Sequence, residues 1–334
     1  MTHNSLVTGG AGFIGSHLIE ALLERGDRVT VLDDLSSGQL TNLAGFSSHD
    51  RFRFVQGSIL DDLVVDELVE ATDGIVHLAA AVGVKMIVAR PLRSFITNIR
   101  GTETVLDAAH RYRRPIFLAS TSEIYGKNDR DGLHENSDRI FGSPSVARWS
   151  YATSKAADEV LAFAYHKERG LPITIARFFN TVGPRQSAAY GMVIPTLVEQ
   201  ALCGVPLTVH GDGHQRRCFC HVADLVAGVL GLLEDPGANG EVYNIGGTQE
   251  TTILELAHLV VSRTGSSSDV KLVSYEDAFD SDFEDMRRRV PDTGKLTALT
   301  GWAPTHSLLD ILDETIAYAR QAREARFALE RAAH

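Results

Sequence analysis

The chain has 334 residues, of which 44% are hydrophobic and 22% charged, enough for one large or two moderate domains with a substantial core. Its net charge of −11 argues against broad capture of nucleic acid or anionic membrane, because both need a basic surface.

In chain order, Ser5–Thr8 is predicted as a first strand and Phe13–Arg25 as a helix, with Phe13, Leu18, Ala21 and Leu22 at helical spacing. Arg28–Leu32 is a second strand, and Arg51–Val55, Gly74–Leu78 and Pro115–Ala119 supply three more. Helices are expected between them, around Asp62–Ala71 and Phe95–Tyr112. Pro172–Ala176 makes another strand, after a helix expected to carry Tyr151 and Lys155. Such alternation predicts an α/β fold in which a parallel sheet has helices on both faces. Beyond Phe178 the runs GPR, GVP, GDG and GANG interrupt short elements, leaving helices near Pro195–Cys203, Val222–Leu233, Ile253–Arg263 and Leu308–Ala328. The expected division is a first domain over 1–177, with returns of the chain to its sheet near 210–245, and a smaller interleaved α/β substrate domain over 178–330. The tail Ala322–His334, with alternating charge, is expected to be a solvated helix end.

Gly9, Gly12 and Gly15 follow the first strand and open the first helix. Glycines at that junction allow a tight turn and a close approach of backbone to a pyrophosphate, which the helix amino terminus attracts. About twenty residues on, the second strand ends in Asp33-Asp34, where a carboxylate accepts hydrogen bonds from a ribose and repels a 2′-phosphate. That pair of features points to NAD rather than NADP.

Tyr151 and Lys155 stand one helical turn apart, so both side chains share a face. A tyrosine used as acid or base needs its phenol pKa pulled down from about 10, and a nearby ammonium does this. Thr121, in the loop after the fifth strand, suits a role in holding a substrate hydroxyl or sharing its proton. Cys203, Cys218 and Cys220 are an odd, sparse set that fits a reducing compartment; Cys218 and Cys220 beside His221 lack a second ligand pair, so no metal is expected. The start MTHNSLVTGGAGF has no basic region followed by a signal-length apolar run, and a cytoplasmic protein is expected.

These motifs together resemble the extended short-chain dehydrogenase/reductase family, in its nucleotide-sugar epimerase, dehydratase and decarboxylase group. The resemblance runs through TGGAGFIGSH, LDDLSSG, HLAA, NIRGTETVLDAA, STSEIYG, YATSK, RFFNTVGPR, PLTVHGDG, RCFCHVADL and VYNIGG. It implies a doubly wound Rossmann sheet, a recycled NAD, a nucleotide-linked sugar oxidised at C4 with Tyr151 as base, and a homodimer through the helices around Asn98–Ala109 and Tyr151–Ala164. Gly9, Gly12, Phe13, Ile14, Gly15, Asp33, Ser58, Ile59, Leu78, Ala79, Asn98, Tyr151 and Lys155 match its cofactor positions. Ser58 departs from the aspartate of many relatives and implies an altered adenine contact. On the substrate side, Asn180 and Arg217 match positions that contact diphosphate or sugar, Leu207 and Val209 resemble a uracil-facing strand, and Arg287 and Arg288 are candidate second phosphate ligands.

Thr121-Ser122-Glu123 is where the subgroups part. Dehydratases of this group carry Asp-Glu, so Ser122 in place of the aspartate removes the acid that water loss needs. Thr-Ser-Glu and Arg217 resemble enzymes of UDP-glucuronate, whose C6 carboxylate is β to a C4 ketone. The expectation is 4-epimerisation between UDP-glucuronate and UDP-galacturonate, with decarboxylation of UDP-glucuronate as the alternative. UDP-glucose epimerisation, 4,6-dehydration and a non-catalytic sensor rank behind these, the sensor because both Tyr151 and Lys155 are kept.

Overall fold

The computed structural model describes residues 3–83, 90–146, 148–278 and 286–332. Seven parallel strands form the main sheet: β1 (Asn4–Thr8), β2 (Arg28–Asp33), β3 (Phe52–Gln56), β4 (Gly74–His77), β5 (Ile116–Thr121), β6 (Ile173–Phe178) and β11 (Glu241–Ile245). Their order is β3-β2-β1-β4-β5-β6-β11. The chain therefore winds outward from β1 to β3, returns, and winds the other way from β4. That reversal opens a crevice beyond the carboxyl ends of β1 and β4, the place where open α/β sheets bind ligands.

Alternation along the strands explains the layers. Leu6, Ile75, Leu118 and Ile175 enter one apolar cluster, while their neighbours Val7, Val76, Phe117 and Ala176 enter the other. The first cluster is covered by α2 (Asp62–Glu70), α3 (Pro91–Tyr112) and α4 (Arg148–Arg169), through Val65, Val105, Leu106 and Ala162. The second is covered by α1 (Phe13–Glu24) and α6 (Val222–Glu234), through Leu18, Leu22, Leu225 and Val229. With both faces buried, the strands read as near-continuous apolar runs.

A second core holds the smaller lobe. It joins α5 (Val193–Cys203), α7 (Ile253–Thr264) and α8 (Leu308–Ala332), with Leu197, Val198, Leu256, Val260, Ile311 and Leu312 fully or nearly fully buried. Short strands complete the lobe: β8 (Leu207–His210) pairs with β13 (Val270–Val273), and β9 (Arg216–Cys218) lies between β12 (Glu250–Thr252) and β14 (Arg288–Arg289). Between them, β7 (Thr181–Val182) pairs with β10 (Cys220–His221) and links the lobes.

Most predicted elements fall within a residue or two of those observed. The helix expected from Phe95 begins at Pro91 instead, because proline is well suited to the first helical turn and its apolar periodicity starts later. The return to the sheet near 210–245 is α6 followed by β11, whose parallel pairing with β6 adds the seventh strand. The helix of the tail continues to Ala332. No helix among the described residues is long and apolar enough to cross a membrane.

Candidate active site

A cavity of about 630 Å³ lies over the crevice between β1 and β4 and reaches the smaller lobe. Its floor is the glycine turn. Gly9 has a φ of +74°, and a Cβ there would lie 2.7 Å from the Ala79 backbone nitrogen; one on Gly15 would lie 2.5 Å from the Gly9 carbonyl oxygen. The helix α1 begins at this turn with no side chain capping its amino terminus, so its first N–H groups are available to an anion. Gly9, Gly12, Phe13, Ile14 and Gly15 all line the cavity.

Asp33, at the end of β2, also lines it. One carboxylate oxygen accepts the Ala11 N–H at 2.9 Å and the other the Leu35 N–H at 2.8 Å. Burial raises the pKa of Asp33 and these bonds oppose the rise. An anchored carboxylate on the cavity wall at the end of β2 suits an adenosine with a free 2′-hydroxyl. Ile59, Leu78 and Ala79 complete this wall. Ser58 does not line the cavity; its Oγ accepts the Leu60 N–H at 3.2 Å within a local turn. Asn98 lies behind the wall, nearly fully buried, where its Oδ1 accepts the Ala81 N–H at 2.7 Å and its amide donates to Ser154 Oγ at 3.1 Å. It braces the segment after β4 against α4.

The reacting end gathers Thr121, Ser122, Glu123, Tyr151 and Lys155 around one part of the cavity. Thr121 ends β5, and its Oγ1 accepts the Glu123 N–H at 3.2 Å, capping a short 3-10 turn over Ser122–Tyr125. Lys155, 2% exposed, donates from Nζ to Asp158 Oδ2 at 2.8 Å. Burial pushes the Asp158 carboxyl up, and the Lys155 charge opposes this.

Behind the lysine, His77 Nδ1 lies 2.8 Å from Thr8 Oγ1, and Nε2 lies 3.2 Å from Thr102 Oγ1. Burial first, and the Lys155 charge second, push the His77 pKa from 6.5 down to about 3. The imidazole is neutral at physiological pH, and stability follows. The unfolded chain binds the His77 proton below about pH 6.5, whereas the folded chain does so only near pH 3. Stability from this residue is therefore complete above pH 6.5 and is lost as pH falls toward 3. Between pH 7.5 and 5 the loss is expected to be about 2 kcal/mol. Denaturant midpoints at the two pH values check this: His77→Gln should remove that part of the slope, and an unchanged slope would reject the assignment.

On the substrate side, Asn180 lines the cavity in a left-handed conformation, with φ of 25°, and its amide donates to the Cys218 carbonyl at 2.8 Å. Arg185 and Gln186 line the same wall; Arg185 is held at 2.6 Å by Glu20 of α1. The arginines differ from expectation. Arg287 is exposed, and Arg288 turns away to Glu250, at 3.0 Å, and to Asp131. Neither lines the cavity, and Arg289 does. Successive side chains of a strand face opposite sides, so a shift of one residue exchanges surface for site. The RRRVP run marked the segment but could not give its register.

Arg289, 7% exposed, forms an ion pair with Glu123 and also donates to Ser122 Oγ at 3.3 Å. Arg217 is its register partner on β9; it is 6% exposed, donates to the Arg216 carbonyl at 2.9 Å, and does not line the cavity. Leu207 and Val209 also depart from the uracil-facing role: both side chains are fully buried in the second core, since the inward face of β8 packs on α5 and α7. Arg90 and Arg93, at the start of α3, line the cavity and carried no motif in the sequence. Cys218 and Cys220 are buried; burial pushes the Cys218 thiol up to about 12 and the Cys220 thiol higher, which disfavours the thiolate that a metal would need.

Comparison with known proteins supports the same fold. The family described as GDP-mannose 4,6 dehydratase matches residues 6–315. The UDP-N-acetyl-alpha-D-glucosaminuronate decarboxylase of Bacillus cytotoxicus is 39% identical over 322 residues, covering 96% of this chain and 99% of that protein. UDP-glucuronic acid decarboxylase 1 of Xenopus tropicalis is 34% identical, covering 96% of this chain and 72% of that one. Among solved structures, the UDP-glucuronic acid 4-epimerase of Bacillus cereus, in complex with UDP-glucuronic acid and NAD, superposes with a TM-score of 0.87 at 31% identity, covering 96% and 99% of the two chains.

Proposed function

The chain belongs to the GDP-mannose 4,6-dehydratase family of extended short-chain dehydrogenases/reductases, and within it we propose that this protein is an NAD-dependent decarboxylase of a UDP-linked hexuronate. NAD fits the residues present: Gly9, Gly12 and Gly15 would give the pyrophosphate its close approach, Asp33 would take the adenosine ribose, and Lys155 would face the nicotinamide ribose. When bound, it supplies the acceptor for the hydrogen on C4. Tyr151 takes the hydroxyl proton and Thr121 holds that oxygen, which leaves a C4 ketone.

The observation that carries decarboxylation is Arg289, held against Glu123 and Ser122 beside Thr121. A C6 carboxylate β to the new ketone can leave as carbon dioxide, its C5–C6 bonding pair moving into an enolate across C5 and C4. Arg289 is placed to stabilise that developing anion. Glu123 already engages Arg289 as its ion-pair partner, so that guanidinium is less free to grip a substrate carboxylate as well. A proton then returns to C5. For 4-epimerisation the carboxylate must instead be gripped while the ketone turns over, and a glutamate in the wall works against that. This reverses the preference drawn from the sequence, in which Arg289 was absent from the candidates.

The test is NMR of purified protein with UDP-glucuronate and, separately, UDP-N-acetylglucosaminuronate. A UDP-pentose or its 4-keto form, with released carbon dioxide, is expected from one of them. Conversion to the C4 epimer with the carboxyl retained would overturn the reading in favour of 4-epimerisation, which the Bacillus cereus structural neighbour keeps as the second reading.

The outer faces of α3 and α4 carry Leu92, 73% exposed, and Val160, 57% exposed, with Ile96 beside Leu92. Pairing these helices with their copies would cover those side chains and give a homodimer. Light scattering should then return twice the 36.3 kDa of the chain; a monomer mass would reject it. Such a substrate and reduced thiols suit the cytoplasm.

A further inference from the structure

Asn244 sits in the middle of VYNIGG, on the last strand of the sheet, 0% exposed and outside the cavity lining. Every polar atom of its side chain is engaged. Oδ1 accepts from Tyr125 Oη at 2.7 Å, and Nδ2 donates to the Leu133 carbonyl at 2.8 Å and to the Asp292 carbonyl at 3.1 Å. A hydroxyl donor on one side and two carbonyls on the other permit only this orientation of the amide. Burial pushes the Tyr125 phenol up to about 12, so it keeps the proton it donates, and Arg177 Nη1 donates to its oxygen at 2.9 Å.

The two segments that Asn244 grips are those that carry Glu123 and Arg289. Tyr125 is two residues beyond Glu123, in the same 3-10 turn. Asp292 is three residues beyond Arg289, and its segment is stitched to Leu133 from both sides: the Leu133 N–H donates to the Val290 carbonyl at 2.8 Å, and the Asp292 N–H to the Leu133 carbonyl at 2.9 Å. Above, the Arg289–Glu123 ion pair joins the turn to the 289–292 segment; below, one amide joins them again. The segment is also held by the pairing of β14 with β9 and by Arg288, which reaches Glu250 of β12 and Asp131.

We propose that Asn244 is a positioning residue, which sets the separation of Glu123 and Arg289 by holding the Tyr125 turn and the Asp292 segment to one strand end. This rests on the decarboxylase reading for its consequence in turnover, though not for its geometry. The C4 base Tyr151 stands on α4, and the side-chain bonds of Asn244 go elsewhere, whereas Thr121 shares the Ser122–Tyr125 turn that Asn244 holds. Loss of the carboxyl group needs Glu123 and Arg289 together, one from each gripped segment. The clamp therefore bears more heavily on the second step than on the first.

Asn244→Leu fills the same space without the three hydrogen bonds. In the resting protein, amide hydrogen exchange at Leu133 and Asp292 is expected to rise about tenfold or more while β5 and β6 stay protected. Unchanged exchange at both amides would overturn the proposal whatever reaction the protein performs. In turnover, carbon dioxide release is expected to slow by about 100-fold, with an oxidised 4-keto hexuronate that keeps its carboxyl appearing in quenched samples. Equal slowing of both steps, with NAD content and thermal midpoint held, would mark a merely structural residue and also overturn it. If the leucine variant folds poorly, Asn244→Asp keeps the shape and the Tyr125 acceptor but loses both donors, and the same two readouts apply. Wild-type protein that releases no carbon dioxide would instead overturn the decarboxylase reading, leaving the exchange result to judge the clamp.

Discussion

Tyr151→Phe is expected to lower turnover by about 10²–10⁴-fold while NAD and sugar nucleotide still bind. The phenol is brought to the cavity by α4, along with Lys155, and carries a proton that it can exchange at a sugar hydroxyl. Phenylalanine preserves the ring's packing and removes only the oxygen. Binding is served elsewhere, by the glycine turn, Asp33 and the Asn180–Gln186 wall, so dissociation constants should move little. Both products considered for this protein require the C4 ketone first, and the variant should form neither. The measurement is single-turnover NMR alongside calorimetric titration of NAD and a UDP-sugar. Retained turnover would reject Tyr151 as the base, and lost NAD binding would reassign it to holding the cofactor.

Thr121→Val would be a less specific test. Thr121 has a second employment as the cap of the Ser122–Tyr125 turn, so valine would disturb the placement of Glu123 as well as the substrate hydroxyl. Tyr151→Phe isolates the chemistry better.

How far the site could be read from sequence depended on the distance over which each signal acts. The glycine turn, Asp33 and the Tyr151–Lys155 pair are local patterns: each needs only neighbours within one turn of chain, and each lies in the cavity. The parallel sheet followed in the same way from alternation of short apolar runs with amphipathic helices. Arg289 was out of reach because its partner Glu123 is 166 residues away in the chain, and the strand that carries it is two residues long. No periodicity can register so short a strand, and Arg287 and Arg288 were chemically as good. Leu207 and Val209 failed for the opposite reason: an alternating apolar strand looks alike whether its face meets a base or a core, and here it meets α5 and α7. Ser58 matched a motif position, yet a local turn took its hydroxyl.

Arg289→Met is the substitution that should separate the products. Methionine keeps much of the volume of the arginine stem but leaves Glu123 without the cation that pairs with it, at a place where the two side chains are only 9% and 15% exposed. Breaking a buried ion pair from one side costs about 3–5 kcal/mol in general, so a lower thermal midpoint is expected as well as lost activity. The two effects can be pulled apart by adding Glu123→Gln, which removes the stranded charge and should recover most of the stability. Activity should not return with it. Losing a preorganised donor to a developing oxyanion costs about 10²–10³-fold; of the other arginines lining the cavity, Arg185 is paired with Glu20 and Arg90 and Arg93 stand at the start of α3, whereas Arg289 is the one bonded to Glu123 and Ser122 next to Thr121. The double variant is therefore expected to be stable, to oxidise C4, and to release a 4-keto hexuronate or its epimer with the carboxyl in place. Quantifying carbon dioxide against keto sugar by NMR tests this, and a double variant that still decarboxylates at the wild-type rate would remove Arg289 from the reaction and return the choice of product to Thr121, Ser122 and Tyr151.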